Sequence, residues 1–144
     1  MSQGERSSGW RELFDGLTTS GWRGYQKQEL PAGWQVVDGA LTRVAQGGDI
    51  VSKEKYRNFE LELEWMVRAR GNSGIFYRAI ETTPLIYHNA PEYQVLDDAG
   101  HPDGKSQLTA AGSNYGLHPA PAGVVRPAGE WNQEEVTVQG RTVK

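Results

Sequence analysis

Phe59-Glu60-Leu61-Glu62-Leu63-Glu64-Trp65-Met66-Val67 is the stretch that decides the fold. Successive side chains of a β-strand point to opposite faces. Phe59, Leu61, Leu63, Trp65 and Val67 therefore share one apolar face, while Glu60, Glu62, Glu64 and Met66 share the other. Strict alternation of this kind marks a strand with a core on one side and water on the other. Outward from it, the same reading predicts strands over 33–37, 40–44, 74–79, 92–97 and 135–138. Asp38-Gly39 falls between two of them and is the strongest tight-hairpin signal in the chain.

No stretch combines a helical period with end caps. The 18 glycines and 7 prolines are scattered, as short strands joined by many turns require. Two long connections remain, 81–91 and 99–127, and the second is long enough to demand a functional purpose or some mobility. The expected architecture is all-β, a sandwich of antiparallel sheets. A Gln139-Gly140 turn signal close to the last residue, with no following strand signal, predicts a domain that is incomplete at its C-terminal end.

Composition narrows the function. With 144 residues the chain supports one domain, and its formal net charge of −3 argues against non-specific nucleic-acid binding. Cysteine is absent, which removes disulfides, thiolate metal sites and cysteine nucleophiles together. No apolar run is long enough for a membrane-spanning helix, and the first nine residues carry no leader-like apolar segment. Residues 1–9 read as a flexible segment and 10–144 as the domain.

Chemistry-bearing residues concentrate on two predicted strands, around Ser73-Gly-Ile-Phe-Tyr-Arg78 and Pro91-Glu-Tyr-Gln-Val-Leu-Asp97. Alternation puts Arg78 on one face of the first, and Glu92 and Gln94 on one face of the second. If the strands share a sheet, a guanidinium, a carboxylate and an amide meet on its non-core face, with Glu62 and Glu64 available to join them. Such a set suits a polyhydroxylated ligand, because each group offers directional hydrogen bonds. Five tryptophans and six tyrosines can supply platforms for sugar rings as well as core. The plainer alternative is an exposed Arg78–Glu92 ion pair and a solvated glutamate face.

Glu92 and Asp97 do not make a glycosidase pair. Five residues apart on a strand, they lie roughly 16 Å from each other on opposite faces. Paired glycosidase carboxylates need about 5 to 10 Å. Asp97, Asp98 and Asp103 leave a divalent metal open, although their spacing matches no strict calcium loop. His88, His101 and His118 sit in loops with no metal-binding spacing and read as solvated.

The ordered motifs resemble the 3-keto-disaccharide hydrolase family. They are Leu13-Phe-Asp-Gly16, Gly21-Trp22, Trp34 with Asp38-Gly39 and Leu41, the 59–65 strand, Asn72-Ser-Gly-Ile-Phe-Tyr-Arg78, Glu92-Tyr-Gln-Val-Leu-Asp97, Tyr115-Gly116 and Glu130-Trp-Asn132. The resemblance implies a concanavalin A-like jelly roll of two antiparallel sheets, with a sugar site on the concave face. It also implies a closing C-terminal hairpin and strand that this sequence lacks, and a bacterial protein that is periplasmic or secreted. A ketone at C3 acidifies the C2 hydrogen of a glycoside, so one base and one enolate stabiliser suffice for elimination and hydration. Against that chemistry Glu92 is expected as the base and Arg78 as the stabiliser. Gln94, Asp97, Tyr115 and Glu64 are expected to hold the sugar, with no resident cofactor. The competing readings are a non-catalytic carbohydrate-binding module and a structural β-domain. The sequence leaves the oligomeric state open.

Overall fold

The structure, a computed structural model, describes residue 4 and residues 8–144. Most of the segment expected to be flexible, residues 1–3 and 5–7, therefore lies outside the described residues. From residue 8 onward there are nine β-strands, two short 3-10 turns and no α-helix. Every paired strand is antiparallel. The fold is all-β, in keeping with the jelly-roll class. By its internal contacts the chain divides into two compact units, one ending at Lys55 and the other running Tyr56–Lys144.

In the first unit β1 (Trp22–Gly24) pairs with β4 (Ile50–Ser52), and β2 (Trp34–Val37) pairs with β3 (Ala40–Arg43). The β2–β3 hairpin turns at Asp38-Gly39, with Val37 opposite Ala40. Both turn residues have positive φ, 50° and 77°, the two-residue geometry that matches the twist of flanking strands. Two tryptophans of this unit bond to backbone carbonyls. Trp22 Nε1 donates to the Leu13 carbonyl at 3.0 Å and Trp34 Nε1 to the Gly48 carbonyl at 2.9 Å. Asp15 accepts from the Leu17 and Thr18 N–H groups at 2.8 and 2.7 Å. Those bonds, led by Thr18, hold its carboxyl below the usual carboxylate range.

In the second unit β5 (Phe59–Trp65) pairs along its whole length with β8 (Asn132–Gln139), from Phe59 opposite Val138 to Trp65 opposite Asn132. The alternation predicted for β5 is observed: the three glutamates are exposed and Trp65 is buried. Val136 and Val138 of β8 are buried on the matching face. Trp65, Val95, Leu96 and Ala111 form the buried cluster, with Leu63, Val67, Ile75, Tyr93 and Val125 packed against it. The Gln139-Gly140 turn does have a returning strand, the two-residue β9 (Thr142–Val143), which pairs with β8.

The second sheet joins β6 (Asn72–Phe76) to β7 (Glu92–Leu96). The sequence places the first of these over 74–79, and the shift has a clear cause. Arg70 turns the chain at φ 60° before β6, and Arg78 adopts φ 58° after it, a left-handed conformation that breaks the strand. β1 and β4 were not expected, because three residues are too few to display alternation.

The Tyr93 hydroxyl donates to the Glu134 carboxylate, joining β7 to β8. Burial first, then this bond and the negative charge of Glu134, raise the Tyr93 pKa strongly above 10.0. In the unfolded chain the phenol ionises near that ordinary value, while in the fold it keeps its proton, so this contribution to stability falls as pH rises above about 10. Tyr93→Phe is expected to lose about 1.5–3 kcal/mol at pH 8, the scale of a hydrogen bond to a charged group. Urea unfolding at pH 8 and pH 11 should show the gap to the parent protein narrowing at the higher pH. A gap of equal size at both would contradict this account.

Candidate active site

Both edges of β7 are occupied. One pairs with β6, so that Phe76 stands opposite Glu92, Gly74 opposite Gln94 and Asn72 opposite Leu96. Along the other edge the long loop runs back as a makeshift strand. The Gln94 N–H donates to the Ser113 carbonyl (3.0 Å), the Gly112 N–H to the Gln94 carbonyl (2.9 Å) and the Tyr115 N–H to the Glu92 carbonyl (2.9 Å). Tyr93 and Asn114 face each other across this bridge. By strand alternation Phe76, Glu92 and Tyr115 form one row on a common face, with Gly74, Gln94 and Ser113 in the next.

The Glu92 carboxylate lies over Gly74. A methyl group added to Gly74 would come within 1.9 Å of Glu92 Oε1. The strand therefore needs glycine here to leave room for an acid, which is one of the recognised uses of glycine within a sheet. Beside Glu92, the Tyr115 hydroxyl donates to Asp103 Oδ2 at 3.2 Å. Asp103 Oδ2 in turn lies 3.8 Å from His101 Nδ1, and His101 Nε2 lies 3.4 Å from Asn72 Nδ2 on the Gly74 face of β6. Burial, and then the charge of Asp103, its hydrogen bond and the charge of Glu92, raise the Tyr115 pKa. Its phenol keeps its proton well into the alkaline range. The result is an arc of carboxylate, phenol, carboxylate, imidazole and amide that can move or hold a proton and bind hydroxyl groups.

The residues expected from the sequence divide sharply. Glu92 and Tyr115 come together in this arc. Gln94 shares the face of Glu92 but is only 1% exposed, so its amide presents no surface to a dissolved sugar, and its Oε1 accepts from the Val95 N–H. Asp97, 8% exposed, accepts from the Arg70 N–H at 2.7 Å and fixes the turn that starts β6. Glu64 sits on the other sheet, exposed, and accepts from Gln133 at 3.2 Å. Arg78 turns away at its left-handed backbone and donates to the Gly140 carbonyl in the β8–β9 turn.

Asp98 also serves the backbone, accepting from the Ala111 N–H at 2.8 Å. Among the described residues no three carboxylate or imidazole side chains group as a metal site. Asp103 and His101 stand beside Tyr115, where the sequence reading took Asp103 only as a possible metal ligand and His101 as solvated. The signal was present only as a carboxylate and an imidazole two residues apart in an overlong loop.

A family model described as the 3-keto-alpha-glucoside-1,2-lyase-like domain matches residues 9–144. The chain belongs to this family. A 3-keto-disaccharide hydrolase of Bacteroides thetaiotaomicron is 40% identical over 159 aligned positions, covering 95% of this chain and 55% of its own length. The chain thus spans about half the length of that relative.

Two crystal structures from Parabacteroides distasonis, provisionally named glycosyl hydrolases, share the fold. One superposes with a TM-score of 0.90 at 30% identity, covering 99% of this chain and 70% of its own. The other has a TM-score of 0.72 at 28% identity, covering 85% and 65%. The family match spans both compact units.

Gly74→Ala is expected to displace the Glu92 side chain while leaving the fold intact. Alanine suits an extended backbone better than glycine by roughly 0.5–1 kcal/mol, which offsets much of the cost of moving a flexible side chain. A crystal structure of the variant should show Glu92 in a different rotamer, with a melting temperature within a few degrees of the parent. An unmoved Glu92 would mean that the strand backbone yields instead.

Proposed function

We propose that this chain carries the sugar-cleaving centre of a 3-keto-glycoside hydrolase, with Glu92 as the base. The reading is supported by one observation above others. A carboxylate is seated over a glycine, beside a phenol that retains its proton. The family match and the 3-keto-disaccharide hydrolase relative favour the same substrate class.

In this scheme the C3 ketone of the substrate acidifies the hydrogen on C2. Glu92 accepts that proton, and the electron pair moves to form an enolate with charge on the C3 oxygen. The enolate re-forms the ketone as it expels the glycosidic oxygen from C1. That oxygen takes the proton held by Glu92 and leaves as the second sugar, and a C1=C2 double bond conjugated to the ketone remains. Water adds across that bond, hydroxyl to C1 and hydrogen to C2, so the net change is hydrolysis.

The Tyr115 hydroxyl donates a hydrogen bond to Asp103 in the free protein, and rotation about its C–O bond turns the same proton toward a substrate oxygen. A donor aimed at developing negative charge is the larger part of such catalysis. Asp103 and His101 act as positioning residues for Tyr115, and Phe76 offers a ring edge for the sugar. Arg78 stands outside this set, because its guanidinium is held at the β8–β9 turn. The side chains carry the proton transfers without a resident cofactor, and the ligand is a small sugar.

The test follows free sugar released by the full natural chain from a 3-keto-glucoside and from its unoxidised parent, by NMR. Release from the keto form alone is expected, with deuterium at C2 slowing it. Glu92→Gln should lower the rate by roughly 10²–10⁴-fold, the usual contribution of a general base. Tyr115→Phe should lower it less and remove the alkaline limb, which in the parent lies above 10.0 because the phenol pKa is raised. Sugar retained but released from neither substrate would make the domain a carbohydrate-binding module instead.

A further inference from the structure

Outside the Glu92 arc, three of the chain's 15 lysines and arginines meet in one place. Arg57 precedes β5, Arg78 follows β6 and Arg141 sits in the β8–β9 turn, and together with Tyr56 and Gly140 they line an open cavity of about 450 Å³. All five residues belong to the second compact unit. No carboxylate lines this cavity, and among the described residues none of the three arginines is in an ion pair. Three arginines around one cavity give it a positive charge that attracts an anion.

The arrangement is held in place from the backbone. The Gly140 carbonyl accepts from Arg78, and the Gly140 N–H donates to Asn58 Oδ1 at 2.9 Å. Both polar groups of the turn are thereby bonded to side chains at the edges of two other strands. Gly140 has φ 57°, a conformation in which glycine is at ease. The turn is fixed, and with it the backbone from which Arg141 extends beside the cavity.

We infer that this cavity binds a tetrahedral oxyanion, a sulfate or phosphate group carried on a small ligand. Arginine presents a planar fork of donors that matches such oxygens two at a time. Three forks from three chain segments suit a group with at least three acceptor oxygens, whereas a carboxylate offers two. The volume exceeds what one inorganic ion fills, so the group arrives attached to a larger body. This inference stands independently of the hydrolase reading, since it uses no residue of the Glu92 arc.

The experiment titrates the full natural chain with inorganic sulfate, inorganic phosphate, glucose 6-sulfate, glucose 6-phosphate and acetate, by calorimetry and by arginine side-chain NMR. Expected is saturable binding of the tetrahedral ions at constant ionic strength, tighter for the sugar esters, with acetate at least tenfold weaker by the acceptor count above. Arg57→Gln and Arg141→Gln, both at exposed positions, should each weaken binding roughly tenfold, the scale of one hydrogen bond to a charged group. Circular dichroism checks that each variant is folded. Binding that does not saturate, that acetate matches, or that both folded variants retain in full would overturn the inference. Inorganic ions bound as tightly as their sugar esters would overturn the part that assigns a larger ligand.

Discussion

The hydrogen bonding of β7 on both edges is the constraint on which the rest of the second unit depends. A strand paired only with β6 would hold Glu92 in register but leave its neighbour to a loop free to choose its path. The bonds from Gln94, Gly112 and Tyr115 remove that freedom and turn residues 112–115 into a third strand in all but length. Backbone bonds of this kind are individually modest. Their effect is geometric: they put a phenol from a distant part of the chain beside a carboxylate. The same bonds bury Gln94 and Ser113, so that the face narrows from an open sheet to a site around Gly74.

Much of the frame was legible because it obeys periodic rules. The alternation of β5 placed three glutamates outward and Trp65 inward, and the Asp38-Gly39 signal gave the hairpin that the structure contains. Alternation also placed Glu92 and Gln94 on one face. It failed for Arg78, because the rule assumes an extended backbone and Arg78 sits at φ 58°. Gln94 illustrates a second limit: facing the functional side does not guarantee exposure, since a covering segment can come from anywhere in the chain. The place of Asp103 and His101 beside Tyr115 was not legible for the same reason. Their importance depends on where a long loop returns, and no local pattern states that.

The motifs that carry the family resemblance prove to be largely backbone devices in the first unit. Trp22 and Trp34 fasten carbonyl groups, Asp15 closes a turn, and Asp38-Gly39 reverses a hairpin. In the second unit Asp97 plays the same part, holding Arg70 while Gly100 packs so close to its carboxylate that an added methyl group would lie 2.3 Å away. Recognition by motif and location of a site are thus separate questions in this chain. The residues easiest to notice mostly hold the frame, and Glu92 with its Gly74 neighbour is the exception.

The long loop is fastened at 98, 103, 107 and 112–116, and then continues through exposed residues 121–124 before Arg126 is caught by Asn132. Between its fastening at Ala120 and that capture, Val125 packs against the buried cluster while residues 121–124 lie exposed. Loop closure grows more costly only slowly with added residues. Insertions at 121–124 can therefore change the surface of the loop while the bonds of residues 112–116 along β7 keep their register. Loop surface and strand register are in this way free to diverge at different rates, one written in a tolerant segment and the other in the bonds along β7.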